Sequence, residues 1–218
     1  RRPIVAPGGP DAQKGCSSRL PGVQLLLIRH GQSTNNRLEA KGGNSGDRVP
    51  DPPLTELGRR QAQRLADHVA AGTLPRPDVL FTSLMHRAVE TAAPLAHVLD
   101  LPLRGHALMY EVNGVYTGEY TGLSTRGLPD PGSPASVLAA ISDRLQWPPD
   151  ADADGWYRRP FEFPVDAWAR AQAVAAEFRS RFGDSDALIG LVTHGWFSQY
   201  LLRALADWPP AGDGGLPT

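Results

Sequence analysis

Residues 25–36 of the chain read LLLIRHGQSTNN. The apolar half lacks helical periodicity and follows Pro21-Gly22, a pattern typical of a buried strand in a largely parallel sheet. The strand ends at Arg29-His30-Gly31, and ligands of open α/β sheets bind just beyond the carboxyl ends of the strands. The tripeptide offers a fixed cation, a titratable side chain and a backbone open to close approach. A surface arginine beside a structural histidine would explain it equally well, so the other strands must decide.

Three further apolar runs predict more strands of this kind: residues 79–82, 101–109 and 187–193. The polar residues that follow these runs are Ser83 with Arg87, then Glu111, then His194 with Gly195. Each of these residues alone has an ordinary structural explanation. Parallel strands, however, bring their carboxyl ends to one edge of a sheet, so we expect all of these residues to converge there. Their convergence would indicate a binding site.

Helical spacing fills the intervals between the strands. Thr55 is the expected N-cap of one helix, with Leu57, Leu65 and Val69 as its apolar stripe and Gly72 as its stop. Other helices are expected from Ser83 as N-cap to about residue 99, from Ser133-Pro134, from Pro164 to Gly183, and over residues 196–205. Strands that alternate with helices predict an α/β fold, a three-layer α/β/α sandwich with a mostly parallel central sheet.

The segments between these elements suggest the domain organisation. Residues 1–22, rich in Pro and Gly, predict a flexible N-terminal lead-in to a single domain over residues 23–218. Residues 37–53 are expected to form a polar loop over the first strand end. Residues 112–133 are expected to form a Gly-rich loop or lid, within a small loop/helix cap over about residues 112–163.

Bulk composition narrows the class of protein. The 218 residues carry a net charge of −1 and a sequence pI of about 6.7, so no global basic field favours nucleic acid or membrane surfaces. The single cysteine, Cys16, excludes an internal disulfide framework and a cysteine-rich metal cluster. No apolar run approaches the ~20 residues that span a bilayer, and no signal peptide is evident. We expect a cytoplasmic protein.

The converging residues favour phosphate chemistry. Two arginines, Arg29 and Arg87, match phosphate oxygens with planar forks, and the amides of the helix that begins at Gly195 favour an anion. One histidine can attack phosphorus while the other, protonated beside a bound dianion, adds positive charge. A protonated Glu111 can supply the leaving oxygen with its proton. Gly31 lets the backbone approach the ligand.

The sequence also resembles a known family. In chain order, the segments LIRHGQSTNN, LTELGRRQAQRLA, TSLMHRAVETA, YE and LVTHG look like the motifs of the histidine phosphatase (phosphoglycerate mutase-like) superfamily, over roughly residues 23–206. The resemblance implies the following roles: His30 as a nucleophile that becomes phosphohistidine, Arg29, Arg87 and His194 as the phosphate pocket, Glu111 as the proton donor, and Ser33 and Asn36 at positions that line the substrate site.

Departures from the mutases favour the phosphatase branch. Mutases of this family carry a Trp where this chain has Asn35, and a Phe-x-Gly-Trp stretch where this chain has AKGGNSGD. The segment after Glu111 lacks the Arg-x-Tyr-Gly run of the mutases. The family also has more β-structure after the last helix than DWPPAGDGGLPT provides, so we expect a shortened C-terminus.

The resulting hypothesis is a metal-independent phosphomonoester hydrolase that acts through phosphohistidine on a small phosphorylated metabolite, with no cofactor and no nucleic-acid or membrane partner. The oligomeric state and the physiological substrate stay open. The alternatives are phosphoryl transfer of the mutase type, a non-catalytic phosphate-binding module of the same fold, and a metal-dependent hydrolase that uses His30 and His194 as ligands. The last requires carboxylates beside the histidines, whereas arginines are expected there.

Overall fold

The computed structural model describes residues 22–43, 45–117 and 128–209. In chain order its elements are β1 (Gln24–Arg29), α1 (Thr34–Ala40), a 3-10 turn (Ser45–Asp47), α2 (Glu56–Ala70), β2 (Val79–Ser83), α3 (His86–Leu99), β3 (Leu103–His106), β4 (Tyr116–Thr117), β5 (Leu128–Pro129), α4 (Ala135–Ala139), β6 (Leu145–Gln146), α5 (Pro164–Phe182), β7 (Leu188–Thr193) and α6 (Gly195–Leu205). Five strands form one parallel sheet in the order β1-β7-β2-β3-β6, and β4 pairs with β5 in an antiparallel ribbon.

Helices cover both faces of this sheet. On one face α2 and α3 pack together over a core that contains Leu80 and Leu95. On the other face α5 and α6 pack together over a core that contains Phe81 and Phe178. Leu80 and Phe81 are neighbours on β2 and serve opposite cores, because successive side chains of a strand point to opposite faces. The predicted three-layer α/β/α sandwich is therefore confirmed.

Helix α2 shows where the sequence pattern was right and where it was wrong. The side chain of Thr55 accepts a hydrogen bond from the Gly58 amide (3.1 Å), so Thr55 is the N-cap as predicted. Gly72 has φ +71°, the left-handed conformation expected at a helix stop. Leu57, however, is 43 % exposed, because α2 turns a face of small residues, including Gly58 and Ala62, toward the protein.

Two predicted helix caps are wrong. Ser83 remains in β2, where it pairs with His106 of β3, and Met85 is the N-cap residue of α3. Pro134, rather than Ser133, is the N-cap residue of α4. Ser133 donates both its hydroxyl (2.8 Å) and its amide (3.2 Å) to Oδ2 of Asp51, so tertiary contacts hold its side chain.

The loops contain more regular structure than predicted. Helix α1 and the 3-10 turn occupy part of the expected loop 37–53, and β4 and β5 frame the expected lid. Strand β6 was not predicted, because two residues carry no periodic pattern. Strand β3 ends at His106, so Glu111 lies five residues beyond the strand rather than at its end. Residues 1–21 of the predicted lead-in 1–22 and residues 118–127 of the predicted lid lie outside the described residues. Within the described residues, no helix is long and apolar enough to cross a membrane.

A buried ion pair fastens the segment that carries Glu111. Arg170 of α5 makes two hydrogen bonds to the Glu162 carboxylate (2.6 and 2.5 Å) and donates to the carbonyl oxygens of Leu108 (2.7 Å) and Tyr110 (3.0 Å). The Tyr110 hydroxyl donates to the same carboxylate at 3.0 Å, and burial raises the pKa of Tyr110 to about 12, so the hydroxyl keeps its proton. The network joins α5 to two segments: residues 108–111 and the segment before α5 that contains Glu162.

We expect Glu162→Gln to lower the free energy of unfolding by about 3–5 kcal/mol, because Arg170 would lose the only charge that compensates its burial within this network. Denaturant titration of both proteins measures the difference. The matched control is Glu56→Gln, which breaks the exposed pair between Arg60 and Glu56 and should cost less than about 1 kcal/mol. Equal losses in the two variants would contradict the assigned role of the buried pair.

Candidate active site

His30 lies directly after β1, at the carboxyl edge of the sheet, and only 8 % of it is exposed. Its amide donates to the Thr193 carbonyl (3.0 Å) and so extends the pairing of β1 with β7. Its Nδ1 lies 2.7 Å from the Gly31 carbonyl oxygen. We therefore assign the ring proton to Nδ1 and the lone pair to Nε2. The peptide groups on both sides of Gly31 are fixed, because the Gly31 N–H donates to Oγ1 of Thr91 (3.0 Å) and the Gln32 N–H donates to Oε1 of Gln61 (2.8 Å).

Arg87 and His194 lie beside Nε2, the unprotonated ring nitrogen of His30. Arg87, in the first turn of α3, is buried and donates from Nε to Nε2 of His30 at 3.0 Å. His194 follows β7 directly and is fully buried, with its ring centroid 5.1 Å from that of His30. Nε2 of His194 lies 2.9 Å from Oγ of Ser83, at the end of β2. The residues that follow β1 and β7, the last residue of β2 and Arg87 at the start of α3 thus converge as expected.

The electrostatics leave both imidazoles neutral at pH 7. Burial lowers the pKa of His30 to about 3, and the charges of Arg87 and Arg29 act in the same direction against the hydrogen bond to Gly31. Burial, followed by the charge of Arg87, holds the pKa of His194 well below its usual value. Burial also lowers the pKa of Arg87, but a guanidinium remains charged in proteins. The edge of the sheet therefore combines a neutral imidazole lone pair with fixed positive charge.

Glu111 reaches this site from the segment after β3. Its Oε1 accepts hydrogen bonds from the amides of Val112 and Phe197 (both 2.9 Å), and its Oε2 accepts one from the amide of Trp196 (3.2 Å). The carboxylate thus occupies two amides of the first turn of α6. The expectation that these amides would be free for a bound anion is therefore wrong for Trp196 and Phe197.

The other predicted site residues divide into two groups. Arg29, Ser33 and Asn36 line the same pocket as His30, Arg87 and Glu111. Ser33 is the N-cap of α1 and forms a capping box with Asn36, in which the two side chains and amides bind each other at 3.0–3.2 Å.

Gly31 and Gly195 are not among the lining residues. A Cβ atom at Gly31 would lie 2.6 Å from the Gly58 carbonyl oxygen, and one at Gly195 would lie 3.4 Å from Nε of Arg29. Gly31 therefore serves close packing against the first turn of α2, whereas a Cβ atom at Gly195 would make only an ordinary van der Waals contact with Arg29.

The pocket above His30 has a volume of about 300 Å³, at the low end for small-molecule sites. The residues that complete its lining are Asn35, Glu39, Arg48, Val49, Pro50, Pro52, Met85, Val112, Asn113, Gly114, Tyr116 and Trp196. Most of them come from the segments that the sequence analysis treated as polar loop or lid.

Asp51 was also missed. It accepts hydrogen bonds from the His86 amide (2.9 Å) and from Ser133, and so ties the start of α3 to the segment before α4. Burial raises the pKa of its carboxyl group although the nearby charge of Arg87 opposes the shift. The one sequence signal for Asp51 is its position in the segment just before Thr55, the N-cap of α2.

The donor set does not resemble a metal site. Among residues 22–43, 45–117 and 128–209, no three His, Cys, Asp or Glu side chains are grouped as metal ligands would be. The free nitrogen of His30 faces a guanidinium, which would repel a cation. These residues therefore suit an anion.

Solved structures share the fold of this chain. A mycobacterial glucosyl-3-phosphoglycerate phosphatase in complex with VO3 is 25 % identical, with a TM-score of 0.52, over 84 % of this chain and 80 % of that chain. An ecdysone phosphate phosphatase from Bombix mori, in complex with tungstate, has a TM-score of 0.58 but only 13 % identity over 89 % of this chain and 81 % of that chain, so it shows the fold alone.

Curated relatives match shorter segments. A 2,3-bisphosphoglycerate-dependent phosphoglycerate mutase of Chelativorans sp. (strain BNC1) is 41 % identical over 78 residues, which are 36 % of this chain and 35 % of the relative. The mutase of the same name from Corynebacterium jeikeium (strain K411) is 30 % identical over 133 residues, 61 % of this chain and 50 % of the relative. The chain thus spans half or less of the length of these relatives.

The family model of the histidine phosphatase superfamily (branch 1) matches residues 25–214. This range contains every residue of the pocket described above, from Arg29 to Trp196. The chain therefore belongs to the histidine phosphatase superfamily.

Proposed function

We propose that the chain is a phosphomonoester hydrolase that forms phosphohistidine at Nε2 of His30. The observation that carries the proposal is the hydrogen bond from Nε of Arg87 to that nitrogen, at the floor of the pocket. This hydrogen bond places the lone pair of a neutral imidazole next to a guanidinium cation. A phosphoryl dianion is the group that needs both, a nucleophile for phosphorus and charge for its oxygens.

The first half-reaction transfers the phosphoryl group to the protein. Arg87, Arg29 and His194 bind the phosphoryl oxygens, and His194 becomes protonated beside the dianion. When the Arg87 guanidinium turns from Nε2 to the phosphoryl oxygens, the lone pair of Nε2 forms a bond to phosphorus. The ester P–O bond breaks at the same time, and the electron pair of that bond goes to the leaving oxygen. Glu111 gives that oxygen a proton, so the alcohol departs neutral. In the second half-reaction the Glu111 carboxylate takes a proton from water, and the water oxygen attacks phosphorus while the P–N bond breaks. The electron pair of that bond returns to Nε2 of His30, and phosphate is released.

The pocket supports a small phosphorylated metabolite as substrate. About 300 Å³ accommodates a phosphoryl group and a short alcohol, and the lining is rich in polar side chains such as Asn36, Arg48 and Asn113. A cytoplasmic location stays a prediction from the sequence.

The names of the curated relatives favour a second candidate, phosphoryl transfer of the mutase type. Both reactions share the phosphohistidine, and they differ in whether water or a second alcohol removes the phosphoryl group. The chain has Asn35 where the mutases carry Trp, and its AKGGNSGD segment also departs from them. We therefore place hydrolysis first.

The test of function is turnover of a phosphomonoester panel with a quench by denaturant at alkaline pH, which preserves phosphohistidine. We expect release of phosphate and a phosphoryl-protein that is absent from His30→Ala. Conversion of 3-phosphoglycerate to its isomer without phosphate release would favour the mutase, and ligand binding without turnover would favour a non-catalytic module. A phosphoryl-protein that persists in His30→Ala would contradict the assigned nucleophile.

The role of Glu111 predicts a dependence on the leaving group. We expect Glu111→Gln to slow hydrolysis of an alkyl phosphate far more, by about 10²–10⁴-fold, than hydrolysis of p-nitrophenyl phosphate, whose leaving group needs no proton. The ratio of the two rates is an internal control for any structural damage, since Gln would present an NH₂ to amides that now donate to a carboxylate. Glu119, in the same Gly-rich segment, lies outside the described residues, and a similar ratio change in Glu119→Gln alone would reverse the assignment.

The lowered pKa of His30 predicts how stability depends on pH. Between about pH 3 and 6.5 the unfolded chain protonates this residue while the folded chain does not, so folding stability falls as pH falls through that window. Replacement by Gln removes one such proton, and we expect the unfolding free energy of His30→Gln to fall less steeply between pH 5.5 and 4, by about 1.4 kcal/mol per pH unit. Denaturant titrations at several pH values measure the slopes. Identical slopes would show that the folded protein protonates His30 normally.

A further inference from the structure

A third arginine lines the pocket beside the two that serve the phosphoryl group. Arg48, just after the 3-10 turn, forms an ion pair with Glu39 of α1 at 2.7 Å, and both side chains are partly exposed. Their charges reach the phosphate end of the pocket, because the charge of Arg48 lowers the pKa of Arg87 and that of Glu39 raises it. Arg48 is therefore a second cationic position within the same small cavity.

Asn35 holds the backbone that presents Arg48. Its side chain is buried and donates from Nδ2 to the Val49 carbonyl (2.8 Å), while its Oδ1 accepts from the Val49 amide (3.0 Å). Such a paired contact satisfies both backbone groups of one residue, as a strand would. A side chain without both a donor and an acceptor could not make it. Asn35, which stands where the mutases carry Trp, thus holds the backbone of Val49, the residue that follows Arg48.

We propose that Arg48 recognises a second anionic group, a carboxylate, on the alcohol portion of the substrate, and that Asn35 is its positioning residue. The inference rests on the proposed function, since it names the substrate class of the same site. A guanidinium fork matches a carboxylate bidentately. Glu39 supplies the same chemical group from within the protein, so a substrate carboxylate would replace it on Arg48.

The dimensions and charges of the pocket support this class. The phosphoryl group is met by Arg29 and Arg87, which leaves Arg48 for a further charge on the same molecule. With a volume of about 300 Å³, that charge must lie within a few bonds of the ester oxygen. A substrate with a neutral alcohol portion would leave the ion pair between Arg48 and Glu39 intact, and Arg48 would not strengthen its binding.

The test compares substrates that differ in one group. 3-Phosphoglycerate and glycerol 3-phosphate share a carbon chain but end in a carboxylate or a hydroxymethyl group, and phosphoglycolate and ethyl phosphate form a second such pair. The quantity measured is the ratio of kcat/KM values within each pair, with p-nitrophenyl phosphate as the reference for the chemical step. We expect the unmodified protein to prefer the carboxylated member of at least one pair.

Variants with opposite expected effects make the test specific. Arg48→Gln should reduce the preferred ratio about tenfold or more through KM, because it removes the guanidinium that binds the carboxylate. Glu39→Gln should raise the ratio, because it removes the competing carboxylate. The matched control Arg60→Gln removes an arginine from the exposed pair with Glu56 on α2 and should leave every ratio unchanged.

The positioning role of Asn35 is tested by coupling. Asn35→Ala should lower the ratio as Arg48→Gln does, and the double variant should be no worse than Arg48→Gln alone. Additive losses in the double variant would overturn this role, because they would show that Asn35 acts independently of Arg48.

The outcomes separate the two levels of the proposal. Hydrolysis of p-nitrophenyl phosphate with no preference for carboxylated substrates, or with a preference that survives in Arg48→Gln, would overturn the inference and leave the proposed hydrolase intact. Failure to turn over any phosphomonoester would overturn the proposed function, and the inference with it.

Discussion

The site depends on the hydrogen bond from Arg87 to His30, which lies where three strand ends and a helix start meet. Neither side chain could be buried there alone, since an isolated guanidinium or imidazolium loses its hydration without compensation. The protein resolves this by leaving the imidazole neutral and aiming its lone pair at the cation. In the proposed reaction, a phosphoryl group that binds Arg87 would release this lone pair. The contact that stabilises the buried pair would then also keep the imidazole ready for attack.

The first turn of α2 supports this arrangement from behind. A Cβ atom at Gly58 would lie 2.2 Å from the Gln32 carbonyl oxygen, so glycine is required where α2 meets the loop after His30. The Thr55 amide donates to the same carbonyl (2.8 Å), and Oε1 of Gln61 accepts from the Gln32 amide (2.8 Å). The segment LTELG therefore holds the backbone next to His30, the proposed nucleophile.

The acid side of the site is held by a different kind of contact. The Glu162–Arg170 pair fixes the backbone at Leu108 and Tyr110, and the amides of α6 orient the Glu111 carboxylate. Buried ion pairs add little net stability compared with apolar packing, so the value of this pair lies in specifying one geometry. It connects the segment after β3 to α5, on the face of the sheet opposite α3. His30 and Glu111, the proposed nucleophile and acid, are thus anchored to different layers of the sandwich.

The sequence by itself determined the layers of the fold and the convergence of His30, Arg29, Arg87 and His194. Strands and helices differ in the spacing of their apolar residues, and the carboxyl ends of parallel strands lie at one edge of the sheet. The tertiary structure decided the rest. That Ser83 contacts His194 rather than capping a helix, that Glu111 binds the amides of α6, and that Asn35 secures Arg48 all depend on contacts between distant segments. No local pattern encodes such contacts, since the free energy of a polar side chain depends on which partner the fold brings within hydrogen-bond distance.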